Sequence, residues 1–208
     1  MNIPALGDLL REEFDGKTAA RERALTSARD AIRSCSNAIR AMHRHETEQA
    51  SDLVQQAQDR LDDARDALSD HPEILHAGFV HDAEKEVAEA RITFALTTGA
   101  EVPSHVDIGI PPAAYAKGMA EAIGEIRRHI LDLMRQGDLK RCEEMLGSMD
   151  EMYFLLTSMD YPDAVTHGLR RLTDVARAII ERTRGDFTTS SIQSSLRDAL
   201  ERRTAEDR

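Results

Sequence analysis

The sequence predicts an all-α protein, a bundle of six or seven helices. Three observations carry this. Apolar residues recur three and four apart over most of the chain, and no stretch sustains the period-two alternation of a half-buried strand. Aromatic residues make up only 4% and tryptophan is absent, while Ala, Arg, Glu, Leu and Asp abound, a helical composition. Turn residues cluster where the periodic segments end, at Thr98-Gly99, Pro111-Pro112, Gly137-Asp138 and Tyr161-Pro162. The 208 residues suffice for one domain with its own core, and 1–208 reads as a single unit with an arm at 1–16 and a frayed tail at 204–208.

The elements follow in order. Residues 1–16 hold Pro4, Gly7 and Gly16 around a short apolar-acidic segment, a small helix or a loose arm. From Thr18 a helical stripe runs through Ala24, Ala28, Ala31, Cys35, Ala38 and Met42. Arg29, Arg33, Arg40 and Arg44 recur along one side of this helix. They are either a solvated face or a track for phosphates, where arginines supply sequence-independent affinity. The next segment is strongly acidic and keeps a helical beat at Leu53, Ala57, Leu61, Ala64 and Leu68, with Pro72 ending it. Asp62, Asp63 and Asp66 lack the glycine and final glutamate of a calcium loop, so they read as a solvated face. Glu73 and His76 have di-iron spacing but no partner motif on a second helix.

A third long helix is expected from about Glu73 or Phe79 to Thr98, with Phe79, Ala83, Val87, Ala90 and Phe94 inward. A loop of about a dozen residues follows, long for a bundle and therefore a candidate for function. Pro112 suits the first turn of the next helix, which extends to Gln136 with Tyr115, Met119, Ala122, Ile123, Ile126, Ile130 and Leu133 inward. Gly118 and Gly124 inside it cost about 1 kcal/mol each against alanine, which points to close approach of a backbone or ligand. Leu139–Ser158 forms another helix, with Met145, Met149, Met152, Leu155 and Leu156 as core. Asp163–Arg184 follows with Val165, Leu169, Leu172, Val175, Ala176 and Ile179 inward, closed by Gly185. Thr188–Arg203 makes a last amphipathic helix through Ile192, Leu196 and Leu200.

Two acidic pairs stand out. Glu86 and Glu89 share one helix face, as do Glu121 and Glu125 on the next long helix, and both pairs lie on the flank of an apolar stripe. Packed antiparallel, these helices would bring four carboxylates to one spot. Such a cluster repels itself or holds a hard divalent cation such as Mg²⁺.

Composition sets bounds on function. The net charge of −11 argues against a generic nucleic-acid coat but leaves local patches open. Cys35 and Cys142 follow no metal or disulfide spacing, which fits a reducing compartment. No apolar run is long enough to span a membrane and no signal-peptide core is present, so a soluble cytoplasmic protein is expected.

Several separated motifs resemble one family, the translins and translin-associated factor X. Arg21-Glu22, Ser27-Ala28-Arg29, Ile32-Arg33, Ile39-Arg40 and His43-Arg44 are similar to the family's basic first helix. Glu86-Val-Ala-Glu89-Ala90 is similar to the acidic motif of the factor X branch. Pro112-Ala-Ala-Tyr115-Ala-Lys-Gly118 continuing to Gly124-Glu125-Ile-Arg127 resembles the family's Pro-x-x-Tyr-x-x-Gly … Gly-Glu-x-x-Arg helix. Asp174-Val-Ala-Arg177 and Ile180-Glu-Arg-Thr-Arg-Gly-Asp186 match near the C-terminus. The motifs keep their order from about Arg21 to Leu200.

The resemblance implies an all-helical subunit of a hollow, octameric barrel with RNA inside. In the factor X branch it implies an Mg²⁺-dependent endoribonuclease, Mn²⁺ serving as a substitute, that cuts single-stranded or flexible RNA. Carried over by motif, the catalytic and metal-binding carboxylates are Glu86, Glu89, Glu121 and Glu125, and Arg29, Arg33, Arg40 and Arg44 guide the RNA. The chain departs from the family at Glu121, where the catalytic subunit usually has aspartate; the added methylene moves the carboxylate by about an ångström, a shift to which rates are sensitive. The assembly would be a homo-oligomer, or one shared with a translin-like partner subunit. The other branch of the family offers a second reading, a non-catalytic oligomer that binds RNA or single-stranded DNA. A helical scaffold for another protein is a third, and it leaves the paired carboxylates unexplained.

Overall fold

The structure is a computed structural model that describes residues 3–76 and 78–206. Among these residues it contains eight helices and no strand: α1 (Ile3–His43), α2 (Thr47–Asp66), α3 (Pro72–Leu75), α4 (Gly78–Thr98), α5 (Pro112–Gln136), α6 (Leu139–Thr157), α7 (Asp163–Thr166) and α8 (Leu169–Glu206).

Two clusters of apolar side chains share α4 and α5. The first joins α1, α2 and α4 and is dominated by small residues, with Ala24, Ala28, Ala31, Cys35 and Ala38 buried against Ala50, Ala57, Leu61 and Ala64. Alanine at these positions lets neighbouring helices approach closely, and the stripe expected for α1 is the buried one. The second cluster is bulkier: Ile123, Ile126 and Ile130 of α5 meet Met145 and Met149 of α6 and Ala176 and Ile180 of α8. Truncating one of these isoleucines to alanine costs about 2–5 kcal/mol, the usual result of opening a cavity in a close-packed core.

Helix ends follow local chemistry. Pro112 occupies the first turn of α5, and Gly137 ends it at φ +82°, donating its N–H to the Leu133 and Met134 carbonyls. Asp138 then caps α6 by accepting from the Arg141 N–H at 3.1 Å.

Four expectations are corrected. The N-terminal arm is helical from Ile3 onward and continuous with α1, so Gly7 and Gly16 do not break it. Pro72 begins the short α3 rather than ending α2, which stops at Asp66. The segment 163–203 is not two helices divided at Gly185: α7 is a single turn, the break falls at His167 (φ +50°) and Gly168 (φ +87°), and α8 runs through Gly185 to Glu206. The helix therefore extends into the expected tail at 204–206, while 207 and 208 lie outside the described residues. The inward assignment also fails for Leu155, Val165 and Val175, which are exposed.

The relation of α4 to α5 matters most. His81 faces Lys117, and one turn further on in both helices Lys85 faces Glu121, so the two run parallel rather than antiparallel. A parallel neighbour requires the chain to return along the length of α4, about 30 Å for a helix of this size. The segment 99–111 provides that return, and its length is architectural. It is pinned by the Tyr115 hydroxyl donating to the Pro103 carbonyl (2.7 Å), by Arg65 donating to the Gly109 carbonyl (2.9 Å) and by buried Ile108 and Ile110.

Candidate metal centre

The carboxylates meet on the seam between α4 and α5, and Gly118 makes the seam possible. A Cβ at this position would lie 2.5 Å from the Lys85 carbonyl oxygen, 2.7 Å from the Ala88 Cβ and 2.8 Å from the Glu89 nitrogen. Only glycine lets the helix backbones come this close. Gly124 has no such role, since its added Cβ would meet nothing nearer than the Ile179 Cδ1 at 4.0 Å. The close approach aligns Glu86 and Glu89 on α4 with Glu121 on α5, and one oxygen from each lies within 4.8 Å of the others.

The charges of this group are unbalanced. Glu89 is buried, and that burial, reinforced by the negative charges of Glu86, Glu121 and Glu125, pushes its carboxyl up to about 8. Lys85 supplies a cation: its ammonium lies 2.5 Å from a Glu121 oxygen and 3.0 Å from a Glu86 oxygen. Burial pulls the Lys85 pKa down, but its bonds to Glu121 and Glu86 outweigh that and hold it above its ordinary value. Glu125 is engaged differently. Its oxygen lies 2.6 Å from Nε2 of His43, near the C-terminus of α1, and that hydrogen bond keeps its pKa below the usual carboxylate range despite partial burial. The structure thus brings Glu86, Glu89 and Glu121 together and sets Glu125 beside them in a pair with His43.

The other candidate residues lie elsewhere. Arg29, Arg33 and Arg40 on α1 and Arg44 in the turn that follows it are all exposed. Arg33 pairs with Asp30 (3.3 Å), Arg40 donates to Asn37 (3.2 Å) and Arg44 binds Glu46 (2.7 Å). They face away from the core, whereas Cys35, on the buried face of the same helix, has its thiol pKa raised by burial and then by Glu86 and Glu89. The arginine row faces solvent, and Arg40 stands one turn before His43, the α1 residue that reaches Glu125. Arg127 is tied to Thr183 (2.9 Å) and Asp186 (2.7 Å) of α8 and serves the fold. His129 of α5 is buried, and burial, aided by His45, lowers its pKa. Lys85 and His43 escaped the sequence reading. Lys85 lies one turn before Glu89 on the same flank, and His43 follows the last buried residue of the α1 stripe; neither spacing identifies a partner on another helix.

The donor set fits a hard divalent cation. All three groups offer carboxylate oxygens, the donors a hard cation takes, and adjacent oxygens of an octahedral shell at about 2.1 Å lie about 3 Å apart, so the three side chains would draw together around a bound ion. A carboxyl whose ionisation is opposed by burial and then by like charges around it is one that a bound cation would favour in its charged form.

The fold defines a class of all-helical proteins, and known proteins share it. No protein-family model matches the sequence. An uncharacterized protein of Methanocaldococcus jannaschii, MJ0175, is 29% identical over 187 residues, covering 89% of this chain and 83% of that protein. The crystal structure of AfC3PO is 32% identical with a TM-score of 0.82, covering 89% of this chain and 97% of that one. AfC3PO in complex with duplex RNA matches at the same identity with a TM-score of 0.83, covering 89% of this chain and 96% of that one. Apo-NeC3PO, at 17% identity, a TM-score of 0.80 and coverage of 88% and 96%, shares the fold. The chain belongs to the translin family, to which these C3PO proteins belong.

Proposed function

We propose that the chain is a subunit of an Mg²⁺-dependent endoribonuclease of the translin-associated factor X type, acting on single-stranded or flexible RNA. The observation that carries this reading is the convergence of Glu86, Glu89 and Glu121 within 4.8 Å on a seam that glycine at 118 permits. These three would hold Mg²⁺, or Mn²⁺ in its place. A bound cation would supply positive charge at the phosphoryl oxygens and lower the pKa of the attacking water. The protein's own part is positional. His43 keeps Glu125 ionised, so the centre retains a charged carboxylate at pH values where Glu89 still holds a proton. Lys85, released from Glu121 and Glu86, is placed to meet a phosphate. The exposed Arg29, Arg33, Arg40 and Arg44 would take the strand leading from the centre, or RNA held against a neighbouring subunit.

Assembly is part of the reading. Exposed Leu6, Leu10 and Phe14 on α1 and exposed Ile192, Leu196 and Leu200 on α8 form apolar stripes on the ends of the longest helices. Copies of this chain, or a translin-like partner, would cover them in a closed oligomer such as an octamer. The RNA bound by the similar AfC3PO is duplex, so the substrate form needs testing with both single and double strands.

One observation favours a second reading, a binding oligomer without catalysis. Lys85 already pairs with both Glu86 and Glu121 from within, where a cation would otherwise sit. Labelled single-stranded and duplex RNA, incubated with Mg²⁺, with chelator, and with Glu121→Ala protein, separates the two. Metal-dependent cutting lost in the variant is expected; retention of RNA without cutting under every condition would leave the binding oligomer.

A further inference from the structure

One turn along the α4–α5 seam from Lys85 and Glu121 lies a cluster of opposite character. His81 on α4 and Lys117 on α5 approach at 3.4 Å between Nε2 and Nζ. The ring of His167, in the turn between α7 and α8, lies against His81 with centroids 5.2 Å apart. The turn that presents His167 is fixed: its backbone is left-handed at φ +50°, its N–H donates to the Asp163 carbonyl at 2.7 Å, and the Gly168 N–H donates to the Asp163 carboxylate at 2.8 Å. Three elements thus direct cationic or cation-forming groups at one spot. Among the described residues none of the three has a carboxylate within ion-pairing distance.

The larger cationic side chains between helices are paired elsewhere in the described residues. Lys85 is bound by Glu121 and Glu86, Arg65 by Glu84, Arg127 by Asp186 and Arg184 by Asp150. Like groups brought together with no counter-charge repel one another, and the arrangement becomes favourable when an anion joins it. The site's position states which anion. It lies about 6 Å, one helical turn, from the carboxylate centre, so a strand with one phosphate at that centre carries a neighbouring phosphate to this cluster.

We propose that His81, Lys117 and His167 form a subsite for the backbone phosphate adjacent to the one at the carboxylate centre, so that RNA lies along the α4–α5 seam. Lys117 contributes fixed charge. His167, exposed on its turn, and His81, half-buried beneath it, donate ring N–H groups to phosphate oxygens. A proton taken up by His81, whose Nε2 faces the Lys117 ammonium, would make both ring nitrogens donors. Burial, followed by Lys117, His167 and Lys85, lowers its pKa, and Asp82 alone opposes them. A phosphate reverses the balance of charge there. The inference rests on the RNA reading given above.

The test is binding of a fluorescent ten-nucleotide oligouridylate in chelator, with salt varied, to wild-type protein, Lys117→Met/His167→Ala and Lys117→Arg. Thermal melting checks that each variant is folded. The double variant is expected to bind several-fold more weakly at low salt, with a log–log salt slope shallower by about 0.7, the value for one phosphate contact on a single strand. Lys117→Arg should retain the wild-type slope. A folded double variant with wild-type affinity and slope would overturn the subsite and leave the nuclease reading intact. Wild-type protein with no salt-sensitive binding would overturn both.

Discussion

Glu89 is the residue on which the centre's energetics turn. Its carboxyl sits at about 8 in the folded protein, pushed there by burial and then by Glu86, Glu121 and Glu125, against roughly 4.3 in an unfolded chain. Between those values the native state holds a proton that the unfolded state releases. Without metal, stability should therefore fall as pH rises from about 4.5 through about 8. Glu125 has the opposite sign: its lowered pKa gives stability above the unfolded value that is lost as acid is added. In chelator, the melting temperature of the wild type should decrease from pH 5.5 to 8.5, and Glu89→Gln should flatten that decline. An identical pH profile for the variant would show that Glu89 titrates normally. Residue-level chemistry was partly legible in the sequence. Helical spacing put Glu86 with Glu89 and Glu121 with Glu125, but the ammonium of Lys85 and the imidazole of His43 enter through contacts between helices, which no spacing within one helix encodes.

At the scale of elements, the register of α4 against α5 decides whether the carboxylates meet. Gly118→Ala would drive a methyl into the Lys85 carbonyl and Glu89 nitrogen, backbone atoms that cannot swing aside. Overpacking of this kind costs about 1–3 kcal/mol. Gly124→Ala meets only ordinary contact at 4.0 Å and should gain up to about 1 kcal/mol of helix propensity. Urea denaturation of the pair is expected to show opposite signs; equal effects would remove the close approach from the account. The glycines look alike in sequence, and propensity alone assigns both a cost. Helix direction was not legible either. The periodicity located α4 and α5 well, yet whether neighbours run parallel depends on the path of 99–111, and its length fits an architectural return as well as a functional loop. The division expected at Gly185 failed for a related reason: glycine permits a helix end without requiring one, and Arg127 of α5 holds both Thr183 and Asp186, on either side of it.

At the scale of the molecule, α1 and α8 extend beyond the two core clusters and carry uncovered apolar stripes. Ile192, Leu196 and Leu200 recur four apart with more than half their surface exposed (64%, 60% and 57%). Burying such side chains is worth about 1.5–3 kcal/mol each, ample to hold copies together when several are covered at once. Leu196→Glu with Leu200→Glu should lower the assembly mass measured by light scattering while leaving helical content unchanged. An unchanged mass would place the interface elsewhere. Among the described residues no helix is long and apolar enough to cross a membrane.

The central claim is that a divalent cation belongs among Glu86, Glu89 and Glu121. Calorimetric titration of the metal-free protein with Mn²⁺ near pH 7, in buffers of different ionisation enthalpy, tests it most directly. Saturable binding is expected, with proton release as Glu89 ionises. Glu89→Gln should weaken it at least about tenfold, the scale of losing a charged ligand, and Lys85→Met should tighten it by removing the competing ammonium. No saturable binding by the wild type, or equal binding by Glu89→Gln, would contradict the account.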